Sequence, residues 1–197
     1  RRFRNGSRNG KSFRDTERSA LIDFIYENAE ISKFKYEILK HKSDLPKIFD
    51  RKYSLMPNFY GCPSLLVFLK KKEKYYQFVV DRGTLSYTRE SVDFSRVKLR
   101  YVSADVDSSM YKGTILDGTY IETPHGNTFM ISDVYYFKGD DMSNVDLFVK
   151  LLKIRSYLNS SSSTADIDIL ETRNKMYQSI NVEVCDEKPL EEIESYL

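Results

Sequence analysis

MPNFYGCPSLLVFLKKK, residues 56–72, decides how this chain is read. A proline- and glycine-containing turn feeds directly into SLLVFL (64–69), a continuous apolar run suited to a buried strand. A second run, YYQFVV (75–80), follows after KKKEK, and the pair reads as two strands joined by a charged hairpin turn. A lysine-rich tip of this kind also serves as a solvated guard against edge-to-edge pairing.

Outward from this hairpin the pattern stays β-rich. DRGT turns the chain into LSYT, and VKLRYVSADV, GTILDGTYIET and NTFMISDVYYF read as three further strands, with PHG at 124–126 as a tight turn. From Asp141 the period changes. Val145, Phe148, Leu151, Leu152 and Ile154 fit one face of a helix over DMSNVDLFVKLLKIRSYL. SSSST (160–164) reads as a surface loop, QSINVEV as a strand, and PLEEIESYL as a final helix with Pro189 in its first turn. Upstream, Thr16 is placed to cap a helix that presents Leu21, Ile22 and Ile25, KFKYEILK alternates like a strand, and SDLPKIFDRKY connects it to the hairpin. Hairpins first and helices at the flanks predict an α+β fold of mostly antiparallel, twisted sheets.

Composition bounds the function. The chain has 197 residues and a formal net charge of +2, so it is no general polyanion binder. The charge is uneven: residues 1–18, RRFRNGSRNGKSFRDTER, form a basic arm, read as flexible, ahead of a domain over 19–197. Such an arm either neutralises phosphates or is a solvated tail. Two cysteines, Cys62 and Cys185, and two histidines, His41 and His125, with no C-x-x-C pair, argue against a zinc site or a disulfide framework; no metal or cofactor is expected. His125 in ETPHGN lacks an accompanying nucleophile pattern. No apolar run approaches the ~20 residues of a membrane span. The expectation is a soluble intracellular protein, cytoplasmic or nuclear, with no membrane partner.

Four stretches carry a family likeness. PNFYGCPSLLVFL, YYQFVVDRGTLSYT, TILDGTYIE and FMISDVYYFKGDDMSNVDLFVKLLKI, in that order, resemble segments of the nucleotidyltransferase fold shared by mRNA capping guanylyltransferases and ATP-dependent ligases. In character the chain is similar to a catalytically degenerate member, the cap-binding domain of snurportin. The resemblance covers roughly residues 53–197 and stops before the family's last motifs, so the fold is expected to be incomplete at its C-terminus.

That resemblance also marks what is missing. The family's P-K-x-D-G-x-R overlays on Pro57 to Pro63, which puts Asn58 in the seat of the nucleophilic lysine, Tyr60 in that of the aspartate and Pro63 in that of the arginine. An amide nitrogen, delocalised into its carbonyl, cannot attack a phosphate. Gly61 survives, consistent with a turn requirement. The family's D-G-E becomes Asp117-Gly118-Thr119. No catalytic residue is therefore assigned.

The resemblance then implies recognition without reaction: binding of the capped 5′ end of RNA, or of a guanine nucleotide. Asn58, Phe59, Tyr60, Arg82, Tyr87, Arg89 and Asp117 are the candidate cap- and nucleotide-binding residues, and Lys70, Lys71 and Lys72 the candidates for RNA phosphates. A methylated guanine is cationic and is attracted to tyrosine and phenylalanine faces; for each of these aromatics a core or edge-strand role is the competing reading. The alternatives are a divergent guanylyltransferase or ligase of the kind large DNA viruses encode, and a structural pseudo-enzyme subunit that binds a protein partner in an RNA-processing or translation complex.

Overall fold

β-Strand alternation organises the molecule. The structure, a computed structural model, describes residues 13–31, 41, 43, 46, 54–160 and 177–189. The strand expected over KFKYEILK, almost all of the SDLPKIFDRKY connector, the serine loop beyond Ser160 and the helix expected after Pro189 lie outside the described residues.

The described elements are α1 (Phe13–Asn28), β1 (Ser54–Leu55), β2 (Cys62–Lys71), β3 (Lys74–Asp81), β4 (Leu99–Ser103), β5 (Thr114–Thr123), β6 (Gly126–Phe137), β7 (Asp140–Asp141), α2 (Leu147–Ser160), β8 (Gln178–Val184) and β9 (Lys188–Pro189). Short 3-10 turns cover Arg82–Thr84, Arg89–Ser91 and Ser108–Lys112.

The hairpin of β2 and β3 lies where the apolar runs predict it, pairing Ser64 with Asp81 through Lys71 with Lys74. Its turn is tighter than KKKEK suggests, since Lys70, Lys71 and Lys74 belong to the strands and Lys72 takes a positive φ of 55°. β5 pairs with β2 on one side and with β6 on the other, both antiparallel. β4 pairs antiparallel with β3. β8, last of the ring in sequence, runs parallel to both β4 and β6. Its insertion joins the two ends of the sheet, so β2, β3, β4, β8, β6 and β5 form a closed ring. The fold is α+β with a mixed, mostly antiparallel sheet.

Two apolar layers result. One contains a buried residue from every ring strand, Leu66, Val79, Val102, Leu116, Phe129 and Ile180, and is therefore the interior; Leu151, Ile154 and Tyr157 of α2 pack into it. The other lies outside the ring, where Leu21, Ile22 and Ile25 of α1 cover Leu65, Val67, Phe78 and Val80. Deep in the interior, Gln77 donates to the Tyr111 hydroxyl and accepts from the Ala104 amide at 2.6 Å, so these polar groups are paired as burial demands.

Several expectations are corrected. α1 begins at Phe13, so Thr16 lies within the helix and not at its cap, and the basic stretch over residues 1–18 runs into helix. α2 begins at Leu147, because Asp141 and Ser143 close a local side-chain turn at 2.8 and 3.0 Å and Asp146 accepts from the Phe148 amide at 2.9 Å to start the helix. On it Phe148 and Leu152 are exposed, the buried face being Lys150, Leu151, Ile154 and Tyr157. Pro189 pairs with Ser54 in the short β1–β9 ladder; a marginal two-residue strand tolerates its missing N–H.

Candidate functional site

The ring's register brings four strand ends together. Ser64 lies opposite Asp81, Val80 opposite Leu99, and Cys62 opposite Tyr120, so the start of β2, the end of β3, the start of β4 and the end of β5 share one rim. Side chains alternate along a strand. Continuing inward from Leu66, Val79, Val102 and Leu116, that alternation points Ser64, Asp81, Arg100, Tyr120 and Glu122 toward the mouth of the barrel. β8 joins β4 from Val102 onward, which leaves the mouth open beside the first half of β4.

An open cleft of about 850 Å³ occupies this place, lined by Arg18, Tyr60 through Ser64, Asp81, Lys98, Arg100, Tyr120 and Glu122 among others. That volume falls within the range of small-ligand sites, about 300–1,000 Å³. Arg100 pairs with Glu122 across the mouth, and its guanidinium lies 5.0 Å over the Tyr120 ring. The Tyr120 hydroxyl meets Gln178 of β8 at 3.2 Å. Arg18 donates from Nη2 to the Val97 carbonyl, while its Nε is buried and meets no acceptor among the described residues. Asp81 accepts from the Gly83 amide at 2.9 Å and is held as the cap of the 3-10 turn. The cleft thus carries three cations, Arg18, Lys98 and Arg100, against two carboxylates.

The sequence-derived candidates are distributed unevenly about this cleft. Tyr60 lines it with its side chain fully exposed, 100%. Asn58 is exposed and Phe59 half-buried in the irregular segment before β2, and neither is a lining residue. Gly61 has no positive φ; what excludes a side chain there is contact, since a Cβ would meet the Tyr120 carbonyl and Thr119 Cγ2 at 2.6 Å. The turn requirement expected for Gly61 is accordingly corrected to close packing of two strands.

Arg82 and Asp117 belong to a different arrangement. Asp117 lies on the outer face of β5, where it receives Arg82 Nη1 at 2.7 and 2.6 Å and the Tyr135 hydroxyl at 2.6 Å. Both side chains of the ion pair are largely buried, 13% and 9% exposed. Burial raises the Asp117 carboxyl above its ordinary range, against the pull of Arg82 and Tyr135, and it raises the Tyr135 hydroxyl as well. The triad fastens the turn after β3 to the barrel wall. Arg89 does similar work for the next turn: it pairs with Asp23, donates to Ser19 Oγ at 3.2 Å and lies 4.3 Å over the Phe94 ring. Tyr87 is 75% exposed but does not line the cleft.

Lys70, Lys71 and Lys72 are at the other end of β2, roughly 25 Å away at the rise of a strand. Lys70 lies 5.0 Å over Tyr75 and 3.5 Å from Glu73, and Lys71 Nζ reaches the Ala20 carbonyl at 3.4 Å. They stand apart from the cleft and do not line it.

Arg18, Lys98, Arg100, Tyr120 and Glu122 were not legible as site residues, although one signal was present. Arg100 and Glu122 each stand two places from an inward apolar residue, Val102 and Tyr120, and so mark where each strand leaves the core. Among the described residues no group of three or more His, Cys, Asp or Glu is arranged to hold a metal ion, and no helix is long and apolar enough to cross a membrane.

No protein-family model matches the chain. It is 30% identical over 108 residues to a protein of Acanthamoeba polyphaga mimivirus named "Uncharacterized protein L308", a stretch that is 55% of this chain and 32% of the viral protein. The chain thus spans about a third of that relative's length.

Proposed function

We propose that the chain binds the capped 5′ end of RNA at the barrel mouth and does not transfer the nucleotide. The observation that carries this reading is Tyr60, fully exposed at the lip of a cleft that also holds Arg18, Lys98 and Arg100. An aromatic face beside cations suits a ligand that is a flat, cationic base at one end and phosphate at the other. Phosphates belong on the Arg18 and Lys98 side and the base beside Tyr60. Asn58, Arg82, Asp117 and the lysines of the hairpin tip take no direct part. The basic residues ahead of Phe13 are covalently continuous with the helix that carries Arg18, which suits them to RNA phosphates beyond the cap.

Calorimetric titration with 7-methylguanosine triphosphate, GTP and ATP tests this. The methylated nucleotide is expected to bind at least about tenfold more tightly than GTP. Tyr60→Ala is expected to remove about 1–3 kcal/mol of that binding. Equal affinity for methylated and unmethylated guanosine nucleotides would sink the reading.

One observation favours a second reading, nucleotidyl transfer: a lysine, Lys98, does line the cleft. A neutral amine there would attack the α-phosphorus of a nucleoside triphosphate, forming the lysyl N–P bond as the α–β phosphoanhydride breaks and pyrophosphate leaves. Incubation with labelled GTP and ATP over several divalent metals, followed by denaturing electrophoresis, decides it. Covalent label that disappears in Lys98→Ala replaces the binding reading with transfer.

A further inference from the structure

We infer that Glu122 selects guanine over other bases at the mouth of the barrel; this rests on the binding reading above and names the base-recognising group within it. The β2–β5 ladder pairs Cys62 with Tyr120, Pro63 with Thr119 and Ser64 with Gly118. The ladder ends at the Cys62–Tyr120 pair; beyond it Tyr60 precedes β2 and Glu122 continues β5. Both line the cleft. An exposed ring and a carboxylate thus share one cleft, the ring to stack a base and the carboxylate to read its edge.

The chemistry is specific. An ionised carboxylate only accepts hydrogen bonds, and each of its oxygens has two lone pairs. Guanine presents two adjacent donors, N1–H and the 2-amino group, which match the two oxygens. Adenine turns the N1 lone pair toward the same place, and inosine keeps N1–H but lacks the amine. Arg100 does not consume the group: it engages Oε1 and orients the carboxylate, leaving Oε2 and the second lone pair of Oε1 for the base. With its guanidinium over Tyr120 and its charge met by Glu122, Arg100 is a positioning residue. Methylation at N7 makes the ring cationic, so the same carboxylate gains further attraction for a methylated guanine.

The test compares 7-methylguanosine, guanosine, inosine and adenosine triphosphates on the full chain and on Glu122→Gln, with thermal melting to verify that the variant folds. The intact chain is expected to rank guanosine above inosine and inosine above adenosine, about tenfold to hundredfold from first to last. In Glu122→Gln, whose amide offers one acceptor and one donor, this ranking should collapse as guanosine affinity falls and adenosine affinity rises, the amide donor now meeting adenine N1. If Glu122→Gln keeps the ranking, the inference is overturned and the binding reading stands. If the intact chain binds none of the four, the binding reading itself fails and Glu122 falls with it.

Discussion

Among single residues, Asp117 carries the clearest energetic consequence. Its carboxylate is buried against Arg82 and Tyr135, so Arg82→Ala strands a charge in the barrel wall and should cost about 3–5 kcal/mol in urea unfolding at neutral pH. Adding Asp117→Asn should return much of that loss, because the double variant leaves no uncompensated charge. The pH dependence follows from the raised carboxyl. A folded carboxyl that holds its proton more tightly than the unfolded one adds stability at low pH, and this is lost as pH rises through its folded value. Removing Arg82 removes a pull toward ionisation and raises the carboxyl further. The penalty of Arg82→Ala should therefore shrink between pH 7 and about pH 5. Thiol chemistry gives a second check. Burial pushes the Cys185 thiol up to about 11, whereas Cys62 is partly exposed, so iodoacetamide at neutral pH should label Cys62 first by mass spectrometry. Asp117 illustrates what residue-level reading misses. An acid beside a glycine is visible in the sequence, but its face of the strand is fixed by a register that the sequence does not display.

At the scale of elements, the apolar runs of β2 and β3 and the PHG turn between β5 and β6 were legible because their signals are local. The bulge in β6, where Ser132 is the extra residue between Ile131 and Asp133, was not. The β5–β6 register shifts between Asp117 and Gly118, and a Cβ on Gly118 would stand 2.1 Å from the Met130 carbonyl. That neighbour is backbone and cannot swing away, so Gly118→Ala should destabilise by about 3 kcal/mol or prevent folding, as chemical denaturation or the soluble yield would report. Gly126, where an added Cβ meets nothing within 4 Å, is limited by its φ of 146° instead, and Gly126→Ala should cost about 1 kcal/mol in the same assay. Periodicity alone makes Phe148 and Leu152 as apolar as Leu151 and Ile154. Which stripe of α2 faces inward depends on where Asp146 starts the helix.

For the whole molecule, α+β content was readable from the order of elements, whereas closure of the ring was not. Closure rests on β8 lying parallel to two strands far from it in sequence, and parallel pairing leaves no turn signal at either end. The cleft depends on that closure, which is why no local pattern marks Arg100 and Glu122 as its lining or shows that the hairpin lysines lie at the far end of β2. The seam between β4 and β8 holds Val102 to Gln178 and Ser103 to Ser179, fewer pairs than any other junction of the ring. In native-state hydrogen exchange the amides of this seam should open well before those of β2 and β5; equal protection across all six strands would contradict it. The placement of β8 bears also on biosynthesis. A ribosome delivers β2 through β6 before Gln178 emerges, so for that interval the nascent sheet has two bare margins, β4 and β6, waiting for a strand not yet made. Translation stalled just short of that strand would release a sticky intermediate, and nascent-chain chaperones would find their handhold along those margins.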